Sequence, residues 1–340
     1  MVKIRLLILI GCVVALMGRA EIQSTEELLT LLRSNYVDAQ ALDATVLNEA
    51  LIVGLKKKIE RGFEVSSESL SESLSFFQNF QERNVVFNQR SFLLLQFLSD
   101  KKNERNAKDY RNRLMSRLKS QPPAGIVIDV RGWKDLFHYN ELAQFLSFWV
   151  SKNSSLFGLA ASDETEKFYQ SQDEPINVVI PIVVIVNEDT RGVGEVMAES
   201  LRRNKRAVIV GTQSAGMAVQ ISEWMGARDS FYRIPTQRAV FANKEVPFSG
   251  KVEADVKVAI DLDEERFILQ QEAASDDLTA FIFDEEKEVK NNEAALVEKK
   301  DVAQEKSKPA QSSEEKRQAS DIALRTGLDI LLGSQILKNL

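Results

Sequence analysis

At 340 residues, with 44% hydrophobic and 28% charged residues, the chain is long enough to bury one large core or two modest ones. Its net charge of −6 is mild, basic residues are interleaved with acidic ones, and no basic stripe carries aromatics, which argues against nucleic-acid binding. One histidine and one cysteine give no metal-ligand spacing and no disulfide framework, so neither metal nor cofactor is expected.

Residues 1–20 read as a secretory signal peptide. Lys3 and Arg5 supply the charged start, residues 6–17 the apolar stretch, and Gly18-Arg19-Ala20 a small-x-small cleavage site. The apolar run is too short to favour a spanning helix. An alternative reading makes residues 9–12 a lipobox with Cys12 lipidated, the one case in which a membrane enters. Export to the periplasm or outside of a bacterium is the expected setting.

Residues 21–63 form an N-terminal helical segment, with Leu28, Leu29 and Leu32 and then Val46, Leu47, Ala50, Leu51 and Leu55 as apolar stripes. Residues 64–88 read as a linker, Ser/Glu-rich over 66–75, with a helix over 69–80 that carries Leu70, Leu74 and Phe77 on one face. Residues 89–265 hold the α/β core. A strand over 91–98 is followed by a helix with Tyr110, Leu114 and Leu118, closed by Pro122 and Pro123. A strand from Ile126 ends at Asp129-Val130-Arg131-Gly132; His138 then precedes a helix over 140–150, and 156–175 is a polar connection. Residues 182–186 are a β-branched run of the kind buried on both sheet faces. Val193, Val196, Met197 and Leu201 follow at helical spacing, then a second buried run, 207–210, ends at Gly211. Strand, crossover helix and strand in this order set a parallel sheet. Trp224 and residues 231–234 suggest a strand pair around Gly226. Residues 266–283 read as helix, 284–320 as a charged low-complexity insert, and 321–340 as an amphipathic helix with Ile322, Leu324, Leu328, Leu331 and Leu332. That helix fits docking on the core; a free partner-binding helix is the alternative.

Within the core, residues 190–195 read Thr-Arg-Gly-Val-Gly-Glu and residues 214–220 read Ser-Ala-Gly-Met-Ala-Val-Gln. Each follows a buried strand. The chain resembles the C-terminal processing peptidases, or tail-specific proteases, whose strands run into S-A-S-A-S-E and T-F-G-K-G-x-V-Q. Residues 125–132 likewise resemble that family's G-x-I-L-D-L-R-x-N-x-G-G, with Asp129 and Arg131 in place as a structural pair. The resemblance implies a Clp-protease/crotonase-like α/β core with a parallel sheet and crossover helices. It also implies an N-terminal helical segment and a closing C-terminal helix.

In that family the middle serine is the nucleophile, the lysine its base, and the glutamine orients the lysine. Carried over, the nucleophile position is Gly192 and the base position Met217, and only Gln220 survives. Glycine has nothing to attack with and methionine no proton to exchange. Trp133 replaces the asparagine of the third motif, and Asp135 and Leu136 replace the glycine pair that gives an oxyanion-hole amide; Asp135 there is expected to set negative charge against the oxyanion. The family's carboxylate-capturing PDZ domain has no room in residues 61–88. The expectation is an exported, inactive relative that binds a peptide, an envelope protein or another copy of itself. The rival is an active serine-type peptidase whose substitute hydroxyl, Ser214 or Thr190, works with His138. A purely structural role is favoured if side chains fill the old cleft.

Overall fold

A computed structural model describes residues 29–30, 44–58, 63–67, 76–78, 80–97, 107–161, 166–176, 179–226, 230–242, 248–275, 277–282 and 320–338. The signal-peptide and lipobox readings, most of the first helical stretch and nearly all of the charged insert lie outside these residues. Residues 1–60 and 61–340 are separate compact units. In the first, helix α1 (Ala44–Lys58) ends in Lys56, Lys57 and Lys58, cations that suit the negative end of a helix.

The second unit is built on a six-stranded sheet: β2 (Phe80–Phe87), β3 (Arg90–Phe97), β4 (Ile126–Asp129), β8 (Ile182–Val186), β10 (Ala207–Gly211) and β13 (Val256–Lys257). In space they run β13-β10-β8-β4-β3-β2, all parallel except β2, which forms a hairpin with β3. Asn88 and Gln89 turn that hairpin at φ 48° and 62°, the left-handed pair that matches strand twist. The apolar runs are unbroken because both sheet faces are covered. Ile126, Ile128, Ile182, Val184 and Val186 point to one core, with Tyr110 and Leu114 of α2 (Ala107–Ser120), Leu142 and Phe145 of α3 (Tyr139–Leu146), and Val196, Met197 and Leu201 of α4 (Val193–Arg203). Val127, Val183, Ile185 and Val210 point the other way. There they meet Leu278 and Ile282 of the turn α6 (Thr279–Ile282), beyond α5 (Leu262–Ala274), and Leu324, Leu328 and Leu331 of α7 (Ile322–Lys338). The C-terminal helix is therefore docked.

A second sheet joins β1 (Glu64–Ser66), β12 (Phe231–Val240), β6 (Ser155–Ala161) and β7 (Glu166–Gln170), with β11 (Val219–Met225) also on β12. Two sequence expectations are corrected here. Within 64–88 the described residues give two strands, which join the sheets, and a short 3-10 turn, Phe76–Gln78; most of the helix expected over 69–80 lies outside the described residues. Residues 156–175 hold the β6–β7 hairpin. Among the described residues no helix is long and apolar enough to cross a membrane.

Candidate functional site

Two short strands place the site. β5 (Lys134–Asp135) pairs in parallel with β9 (Arg191–Gly192), the link between β8 and α4. What brings β5 there is Trp133: its ring stacks on Phe97 at 3.6 Å between centroids and lies 5.4 Å from Phe76, buried in the main core. Its carbonyl accepts the Arg191 amide at 2.9 Å, and the chain then crosses directly over Gly192.

Gly192 stands at the N-cap of α4 with φ 57° and ψ −112°, a conformation open to glycine and strained for other residues. A Cβ built on it would lie 2.2 Å from the Asp135 carbonyl oxygen and 2.5 Å from Leu136 Cδ2. The slot where a nucleophile would project is filled by the backbone of β5.

The organising side chain is Glu195, fully buried in the first turn of α4. Its Oε2 accepts the amides of Gly192 and Met217, each at 2.9 Å, so the nucleophile and base positions share one oxygen. Its Oε1 accepts the Ser214 hydroxyl at 2.5 Å and the Gly216 amide at 2.6 Å. Burial pushes the Glu195 carboxyl up to about 7, against the pull of these four donors. Glu195 gained no role from the sequence reading; the available signal was the capping-box spacing, an acid three residues after a helix start.

The remaining predicted residues are accounted for. Met217 packs with Phe137 beside Leu136, Val219 and Ile221, so side chains occupy the cleft. Leu136 also gives its carbonyl to the Ile221 amide at 3.1 Å. Gln220 stands in β11 opposite Gln237, at a register shift. Asp129 and Arg131 pair through Nε–Oδ1 at 3.0 Å and Nη2–Oδ2 at 2.8 Å. The Asp135 carboxylate is engaged by its own loop. Its Oδ2 lies 2.7 Å from His138 Nδ1 and its Oδ1 accepts the amides of Phe137 and His138. Burial lowers the His138 pKa, but the hydrogen bond and charge of Asp135, with Glu141, outweigh it and the net is a rise.

An acid and an imidazole are thus paired, but the hydroxyls named for them are engaged elsewhere. Ser214 Oγ donates to Glu195 and accepts the Val252 amide at 2.8 Å; Thr190 Oγ1 donates to the Val130 carbonyl at 2.9 Å and accepts the Asn187 amide at 3.0 Å. Among the described residues no His/Cys/Asp/Glu group could hold a metal ion.

This architecture has relatives. Residues 94–258 match peptidase family S41. The matched stretch is just under half of the chain. Among solved structures it is similar to a photosystem II D1 C-terminal processing protease, at 20% identity over 63% of this chain and 53% of that one, with a TM-score of 0.41. A lipoprotein from Streptococcus agalactiae matches at 15% identity over 61% and 75%, TM-score 0.43. Mature CPAF complexed with lactacystin matches at 13% identity over 55% and 51%, TM-score 0.42. The chain spans about half the length of the first and last of these. No curated protein matches significantly. At such scores the structural likenesses add no argument to the S41 match.

Proposed function

We propose that this chain is an exported, catalytically inactive relative of the tail-specific proteases that serves as a scaffold or binding protein in a bacterial envelope. The observation that carries the reading is Gly192: it offers no nucleophile, and the Asp135 carbonyl fills the space one would need. Met217 gives no base, and the amides of Gly192, Gly216 and Met217 already point at a resident carboxylate. An anion from a substrate would have to compete with Glu195 for them. Because Leu136 and Met217 occupy the cleft, the reading moves towards a structural role, and any partner, whether a peptide, an envelope protein or a second copy, docks on another surface.

The Asp135–His138 pair is the one observation favouring an active peptidase, and it lacks a hydroxyl free to be activated. The expected result is no cleavage of denatured protein by the wild-type chain from pH 5 to pH 9. Cleavage abolished by His138→Ala would establish the active reading.

A further inference from the structure

We propose that the C-terminal helix α7 is a latch on the closed cleft: docked, its cap residue Asp321 fixes the two loops that close the site, and undocked it releases them. The proposal rests on the closed-cleft reading above.

Asp321 is fully buried just before α7. Its Oδ1 caps the helix by accepting the Leu324 amide at 2.9 Å. The same carboxylate binds Arg131 in two places, Oδ1 to Nη1 at 3.0 Å and Oδ2 to Nη2 at 2.5 Å. Arg131, also buried, passes the contact to Glu265 of α5 at 3.1 Å, and Glu265 Oε2 accepts Asn187 Nδ2 at 2.9 Å. Asn187 Oδ1 then accepts the amides of Gly132 and Asp189, both at 3.1 Å. These two amides open the segments that become β5 and β9, the strands that meet over Gly192. One hydrogen-bonded path therefore runs from the cap of the last helix to both loops of the site.

Burial makes the path depend on docking. Asp321, Arg131, Glu265 and Asn187 are each at most 4% exposed. The cover over them includes α7, held to the sheet through Leu324, Leu328 and Leu331, with Gly327 close enough that a Cβ there would sit 3.2 Å from Val183. When α7 leaves, Arg131 loses a bidentate partner and meets water. The Arg131–Glu265–Asn187 bonds then fall from the buried class to the weak exposed one. A second helix joins the clasp. Glu272 of α5 is buried with no donor on Oε1 among the described residues, and Asp321 is its carboxylate neighbour. A proton held on Glu272 satisfies both, and burial beside Asp321 drives that carboxyl well above its ordinary range. The other groups facing it are Arg131 and Asp129 from the end of β4 and Gln96 of β3; Arg83 of β2 donates to the Glu272 carbonyl at 2.9 Å.

The test is amide hydrogen exchange on the full chain, comparing wild type with Asp321→Asn and with Leu331→Ala, which loosens α7 away from the clasp. Both variants are expected to exchange at least tenfold faster along α7 and, to a similar degree, at Gly132 and Asp189, with the β11–β12 hairpin unchanged. Faster exchange along α7 alone would overturn the latch. Where Asp321→Asn does not fold, Leu331→Ala decides. Peptidase activity in the wild type would sink the inactive reading and leave the exchange result standing, so the two claims fail separately.

Discussion

Gly192→Ser combined with Met217→Lys is expected to stay inactive on unfolded protein and to unfold about 4–6 °C below wild type. The serine Cβ would meet the Asp135 carbonyl oxygen at 2.2 Å, and that oxygen belongs to backbone bridged to the site through Trp133. The φ of 57° adds strain of about 1–3 kcal/mol for a non-glycine residue. Strain and overlap together exceed about 3 kcal/mol, and each kcal/mol moves the midpoint of a chain this size by roughly 1.5–2 °C. On the inactive reading proposed above, the obstacle to catalysis is steric rather than the Asp135 charge, which is committed to His138 and two amides. Replacing residues 133–137 in the same variant is expected to relieve both effects and give detectable cleavage. Robust proteolysis by the double variant alone, with an unchanged melting point, would show that β5 does not block the slot.

Glu195→Ala is expected to cost at least about 4 kcal/mol, the largest loss of any single side chain at the site. It leaves one buried amide, two partly buried amides and the buried Ser214 hydroxyl without their acceptor, and each orphaned buried group costs about 1–3 kcal/mol, less than additively. Glu195→Gln should fall between, because one amide NH₂ must face donors it cannot accept from. The sign of the pH dependence follows from the raised carboxyl. Between the ordinary carboxylate range and about 7 the folded chain holds a proton that the unfolded chain has lost, so this group's contribution falls as pH rises through that window. The raised His138 acts in the same direction: its contribution is fully present below the ordinary imidazole range and is lost as pH rises through the folded value. Denaturant midpoints measured from pH 5 to pH 8 should decline in wild type and decline less in Glu195→Gln. A rise over that range would contradict the assignment.

The strands β4, β8 and β10 and the helix α4 were legible because a sheet covered on both faces needs continuous apolar runs, and each run here ends in a turn signal. The hairpins were less so. β2 does alternate, with Arg83, Val85 and Phe87 inward, but the inward arginine breaks the apolar pattern; it is there to donate to the carbonyls of Glu272 and Ser275. β7 reads as polar because four of its five residues are exposed. At the site, the positions of Gly192 and Met217 after their buried strands are read from the motifs alone. The filling of the slot is not, since it follows from Trp133 finding Phe97, a contact between residues 36 positions apart that pulls two residues of β5 across the cleft. Ser214 looked like a free hydroxyl for the same reason: its acceptor, Glu195, is brought to it only by the fold.

The proposal that this domain holds no activated hydroxyl is tested most directly by fluorophosphonate labelling of the full chain beside an active serine hydrolase. No labelling of the wild type and none of Ser214→Ala is expected, while the control enzyme labels to completion. Labelling of the wild type that disappears in Ser214→Ala or in His138→Ala would contradict it and establish a substitute nucleophile.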